Sequence, residues 1–157
     1  MKYLLSIAVL IGAAFFFMGS VSKPAAKPRI LVFSKTVSFY HSSIPTGVAA
    51  LQKLCRENGF DVDTTTNSNY FTEDSLKHYS AVVFLNTADT KGTLLNHVQQ
   101  ADFERYIQAG GGYVGIHAAA DCEYQWPWYG KLAGAYFKTH PRIQPAKLTV
   151  HDQTHES

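Results

Sequence analysis

Histidine changes charge near neutral pH, so the chemistry of this sequence turns on where its histidines fall relative to strand ends. His117 follows the apolar stretch Tyr113-Val114-Gly115-Ile116 and precedes Ala118-Ala119-Ala120-Asp121. Small residues on both sides of one reactive side chain at a strand end are the layout of a nucleophile elbow, where a tight turn lifts that side chain above the sheet. The elbow motif needs serine or cysteine at its apex. With histidine there, the available roles are general base, general acid or metal ligand. Asp121, four residues on, is spaced either to orient the imidazole or to cap a following helix.

Other candidates follow other strands. His41 lies in the segment Lys35 to Ser43, beside Phe39 and Tyr40 and just before a helix start, where backbone N–H groups can hold an anion or oxyanion. Asn86 directly follows the strand Ala81 to Leu85, and His140 precedes Pro141 in a turn. His41 or His140 would serve as a second acid/base group. Alternatively, His41, His117 and His140 converge on a divalent metal, since three-histidine sites with an open position are catalytically competent. The run Tyr124 to Tyr129 (YQWPWY) puts Tyr124, Trp126 and Trp128 in one proline-broken segment, either as a pocket wall or as core. No pair of carboxylates is placed for a two-carboxylate glycosidase mechanism.

The elements that must position these residues alternate between strand and helix. Arg29 to Ser34 is a compact apolar run, as expected of a strand buried on both faces. Ser43 and Pro45 open a helix whose stripe is Ile44, Val48, Leu51 and Cys55, closed by Asn58-Gly59. Phe60 to Thr65 reads as a second strand, the Thr72 group as the start of a short helix, and Ala81 to Leu85 as the third strand. Asn96 with Gln99 resembles a capping box for a helix running to the glycines at 110 to 112, and Tyr113 to His117 is the fourth strand. Ala146 to His151 is a last strand candidate. Repeated βαβ units with right-handed crossovers predict a doubly wound, mostly parallel α/β sheet, with its ligand crevice outside the carboxyl ends of the strands.

The 157 residues, 46% hydrophobic and 17% charged, suit one globular domain with a real core. The net charge of +2 is spread along the chain with no basic run to grip a phosphate backbone, which argues against nucleic acid as a partner. Lys2, the apolar stretch Tyr3 to Met18 and the small residues Gly19, Ser20 and Ser22 form a secretory signal peptide expected over 1–22, with a Pro/Ala/Lys lead-in over 23–28. The apolar stretch is short of the about 20 residues of a spanning helix, so no stable membrane span is expected after cleavage, and export places the protein in the periplasm or outside the cell. Cys55 and Cys122, the two cysteines, would have the chance to pair in an oxidising compartment, but Cys55 on a helix stripe reads as a small core residue.

The motifs ILVFSKTVSFYHSSIPTG at 30–47, AVVFLNT at 81–87, FERYIQAGGGYVGIHAAADCEYQWPWYGKLAGAYFKTHP at 103–141 and VHDQTHES at 150–157 together resemble the ThuA-like family over 29–157. That resemblance implies a flavodoxin-like fold similar to class I glutamine amidotransferases and an association with trehalose and related sugars. It also implies His41, His117, Asp121 and His140 as site positions, with Tyr124, Trp126 and Trp128 nearby. Amidotransferase chemistry is not implied, because His117 stands where that elbow has cysteine. Further strands beyond His155 are implied too, so a domain ending at Ser157 is expected to lack its C-terminal part. The function expected is an exported carbohydrate-processing protein that acts on a sugar or glycoside by histidine acid/base chemistry, in a hydrolysis, elimination or isomerisation. Phe39, Tyr40, Asn86, Tyr124, Trp126 and Trp128 are the expected substrate-binding residues. The alternatives are a divalent-metal-dependent hydrolase or lyase at the histidine cluster and a non-catalytic sugar-binding protein, in which the histidines bond hydroxyls and the aromatic run stacks on the ring.

Overall fold

The computed structural model describes residues 26–89 and 93–154. The expected signal peptide and its cleavage site lie outside the described residues, as does His155. In chain order the elements are β1 (Arg29–Phe33), α1 (Ile44–Glu57), β2 (Asp61–Thr65), α2 (Glu73–Leu76), β3 (Ala81–Leu85), α3 (His97–Gln108), β4 (Gly112–Ile116) and α4 (Pro127–Ala133). Short 3₁₀ turns at Ser68–Tyr70 and His117–Ala120 punctuate the connections. No helix among the described residues is long and apolar enough to cross a membrane.

All strand pairs are parallel, in the order β2-β1-β3-β4. The apolar runs read from the sequence explain this: β1 and β3 are central and covered on both faces, so their side chains are apolar at successive positions rather than alternating with polar ones. Leu31, Phe33, Val82 and Phe84 point to one side, into a core shared with Phe71, Leu76, Phe103, Trp126 and Tyr129. Val32, Val83 and Leu85 point to the other, against Val48 and Leu51 of α1. The larger core is aromatic, with Phe33, Phe71, Phe84 and Phe103 in edge and stacked contacts. Each fully buried side chain of this size contributes about 1.5–3 kcal/mol by leaving water.

Helix ends follow the local signals. Asn96 accepts hydrogen bonds from the Val98 and Gln99 N–H groups while its own N–H donates to Gln99 Oε1, completing the capping box. Thr72 caps α2. Ser43 sits at the N-cap of α1 but makes no side-chain cap bond, and Pro45 occupies the first turn, where its missing N–H costs nothing.

The last strand candidate is not a strand. Ala146 to His151 is irregular and exposed, with Leu148 and Val150 open to solvent. Its residues favour extended backbone, but a strand needs a ladder partner and this segment engages none of the described strands.

Candidate active site

The chain winds from β1 outward to β2 and then returns to place β3 on the other side of β1. The switch point therefore lies between β1 and β3, where an open parallel sheet leaves a crevice. The loops after β1, β3 and β4 meet there. Single parallel bridges extend the ladder beyond the strands, Thr36 to Ala88 and Ala88 to Asp121, and tie the three loops together. Backbone bonds from Val37 N–H to Ala88 O and from Asp89 N–H to Asp121 O, each 2.9 Å, fix the spacing.

Two of these strands end in left-handed backbone. Asn86 has φ 50° and His117 has φ 54°. Asparagine tolerates this region and histidine visits it less readily, at a cost of about 1–3 kcal/mol for such sparsely populated conformations, which surrounding contacts must offset. The turn throws the His117 side chain outward, so that it is exposed above the sheet while Ala118 and Ala119 pack beneath it. This is the elbow geometry expected from the small residues around it.

His117 Nδ1 lies 2.8 Å from Asn86 Oδ1, and Asn86 Nδ2 donates to Ser43 Oγ at 3.1 Å. The His41 ring meets the His117 ring edge to face with centroids 4.6 Å apart, and Phe39 meets His41 in the same way at 4.8 Å. These rings open on a cavity of about 540 Å³ lined by Phe39, His41, His117, Asp121, Tyr136, Phe137 and His140, with Ala118, Ala120 and Ala135 between them. Its volume is in the range of small-molecule sites.

Burial, together with the neighbouring His117, holds the His41 pKa below the ordinary histidine value, against an opposing pull from Asp121. His41 therefore favours the neutral form near pH 7. The Asp121 carboxylate accepts the Tyr124 hydroxyl, which also lies 3.1 Å from Phe137 O. Burial pushes the Cys122 thiol up to about 12, which keeps this cysteine beside the elbow in its less reactive thiol form. Both cysteines are free thiols.

The structure thus brings His41, His117, Asp121, His140 and Phe39 to one cavity. It distributes the other candidates differently. Tyr40 is exposed beside the cavity without lining it, and Tyr124 stands behind Asp121 as its hydrogen-bond donor. Asn86 is buried behind His117, away from the cavity lining, so it is placed against the histidine rather than against a ligand. Asn86, not Asp121, is the hydrogen-bond partner of His117. Trp126 is buried in the main core with its indole N–H on Glu104, and Trp128 packs beside it, so neither is a pocket wall. The physical reason is that Pro127 starts α4 rather than a loop, and α4 turns these rings inward. Among the described residues no three His, Cys, Asp or Glu side chains are placed to hold one metal ion, so His41, His117 and His140 do not form the expected ligand set.

Sequence reasoning missed Tyr136 and Phe137, which supply the aromatic wall instead. Gly134, at φ 86°, ends α4 in left-handed backbone and returns the chain over the site, where Phe137 N–H bonds Ala120 O at 2.7 Å. The signal was present as a glycine two residues before an aromatic pair, in Gly134-Ala135-Tyr136-Phe137.

Comparison with solved structures finds a ThuA-like protein from Bacteroides uniformis, at 28% identity and TM-score 0.56, covering 74% of this chain and 48% of that one. A ThuA-like protein from Parabacteroides merdae matches at 25% identity and TM-score 0.51, covering 67% of this chain and 37% of that one. The chain thus spans about half or less of the length of these relatives, which share its flavodoxin-like, amidotransferase-like sheet. No curated protein matches the sequence. The family model described as trehalose utilisation matches residues 29–157, which connects the chain to sugar metabolism: it belongs to the ThuA family.

Proposed function

We propose that this chain is an exported protein that processes a sugar or glycoside by histidine acid/base chemistry, with His117 as the principal proton-transfer group and His41 as the second. The observation that carries this reading is His117 itself, held in left-handed backbone at a strand end, exposed at a cavity, and packed against a second imidazole. An outlier that costs stability and faces a cavity is the kind of strain that accompanies function. Two imidazoles in contact at one cavity suit a reaction in which one group removes a proton while the other donates one, as in hydrolysis, elimination or isomerisation. Phe39, Tyr136 and Phe137 offer flat faces against which a sugar ring can stack, and Asp121 and His140 offer hydrogen bonds to its hydroxyls. The same aromatic lining also supports a second reading, a non-catalytic sugar-binding protein. Export rests on the N-terminal leader in the sequence.

The test is to incubate the purified chain with trehalose and a panel of other disaccharides, glycosides and monosaccharides, following each by NMR. Turnover of one of them that His117→Gln abolishes, while binding persists, is the expected result. Binding without turnover would replace catalysis with the sugar-binding reading, and neither binding nor turnover across the panel would overturn both.

A further inference from the structure

The hydrogen-bond chain behind the elbow determines which nitrogen of His117 carries the proton. Asn86 has a primary amide, with one end that only donates and one that only accepts. Its Nδ2 donates to Ser43 Oγ at 3.1 Å, which turns its Oδ1 toward His117 Nδ1 at 2.8 Å. An amide oxygen offers no proton, so the imidazole must supply one. The backbone reinforces this: the Asn86 N–H bonds Ile116 O, the residue before His117, at 3.2 Å, so the two left-handed strand ends are pinned together.

Ser43 gives an independent indication. A serine at an N-cap ordinarily turns its hydroxyl to its own helix, where that bond stabilises by about 0.5–2 kcal/mol. Here it makes no side-chain cap bond and instead receives the Asn86 amide. The hydroxyl serves the site rather than the helix.

We infer that Asn86 is a positioning residue that fixes His117 as the Nδ1–H tautomer, presenting the Nε2 lone pair to a hydroxyl-bearing ligand. This deepens the acid/base reading and rests on it for its catalytic meaning, although the tautomer itself is a property of the resting protein. With Nδ1 protonated, Nε2 is an acceptor, so the ligand group that meets it is a donor, as a sugar hydroxyl is. In the proton-transfer step the hydroxyl O–H bond breaks and an Nε2–H bond forms. The other proton stays on Nδ1, hydrogen-bonded to Asn86 Oδ1, and the resulting imidazolium returns the Nε2 proton later in the cycle. Asn86 thereby takes the orienting role that sequence spacing suggests for Asp121.

Long-range proton–nitrogen correlation spectra of the ¹⁵N-labelled chain, without ligand and at a pH where His117 is neutral, read the tautomer directly, with His117→Gln identifying its signals. The expected spectrum has a protonated Nδ1 and an unprotonated Nε2. Asn86→Gly, which keeps the left-handed backbone accessible, shifts the population to Nε2–H, the form that predominates in unconstrained histidine. Asn86→Asp restores an acceptor and with it the Nδ1–H form. An unprotonated Nδ1 in the parent protein overturns the inference, because the Asn86 amide would then be rotated and Ser43 would be the donor. So would a tautomer unmoved by Asn86→Gly in a variant that unfolds cooperatively. Absence of sugar turnover would overturn the acid/base reading and leave these spectra unaffected, so the two failures are distinguishable.

Discussion

His41 and His117 come from loops 76 residues apart by number, 117 − 41, yet their rings meet edge to face with centroids 4.6 Å apart. Two imidazoles at this distance cannot both ionise cheaply, since each positive charge disfavours the other. The doubly wound topology makes the contact, because it brings the loops after β1 and β4 to the same end of the sheet on either side of the β3 loop.

His41 consequently titrates below the ordinary histidine value of 6.5, first because of burial and second because of His117, with Asp121 opposing both. Between the folded value and 6.5 the unfolded chain binds more protons than the folded one, so stability rises with pH through that window. The contribution is complete above 6.5 and is lost as pH falls through the folded value. Urea unfolding across this range should show the slope, and His41→Gln should flatten it. An NMR titration of His117→Gln should move the His41 midpoint upward. An unchanged midpoint would show that His117 has no part in setting it.

The two cysteines should differ in reactivity. Cys122 is fully buried, with its thiol pushed up to about 12 and placed among Thr87 Oγ1, Ala119 O and the Tyr129 hydroxyl, whereas Cys55 is half-buried on α1. The thiolate is the reacting species, so a buried thiol with a raised pKa reacts slowly. A thiol reagent added to the native protein should modify one cysteine promptly, and peptide mapping should locate it at Cys55. The second should react only with unfolding. Equal rates at both would mean that the core around Cys122 opens readily.

Much of the fold is legible in the sequence because its signals are local. The apolar run Ala81 to Leu85 coincides with β3, and Asn96 with Gln99 marks the start of α3, since strand burial and helix capping depend on residues a few positions apart. The elbow at His117 is legible for the same reason, as small neighbours permit a tight turn. The segment Tyr124 to Tyr129 is not: a proline between tryptophans is compatible with a loop or a helix start, and only packing against Phe103 and Tyr113 decides that Trp126 and Tyr129 face inward. Nor does sequence spacing reveal that Asn86 rather than Asp121 reaches His117, because that pairing is made across adjacent parallel strands.

The aromatic wall that the sequence conceals depends on a glycine within α4. A Cβ at Gly130 would lie 2.4 Å from Tyr136 Cε2 and 2.7 Å from its Cζ, so no side chain fits while Tyr136 holds its place. That ring is not free to swing away: its hydroxyl lies 2.6 Å from Trp126 O and 2.9 Å from Glu123 O, and its face stacks on Tyr124. On helix propensity alone, Gly130→Ala would stabilise by about 1 kcal/mol. Overpacking of a held ring costs about 1–3 kcal/mol, so the expected net result is a lower unfolding midpoint together with a displaced Tyr136 at the cavity. Tyr136→Ala removes the obstacle, and in that background Gly130→Ala should become neutral or stabilising. Unfolding measured on the four proteins of this cycle gives the coupling directly. Additive effects would show that Tyr136 yields without cost and that Gly130 does not hold the aromatic wall in place. A positive coupling, accompanied by weaker binding of any sugar that binds the parent protein, would connect the packing of α4 to the site above the sheet.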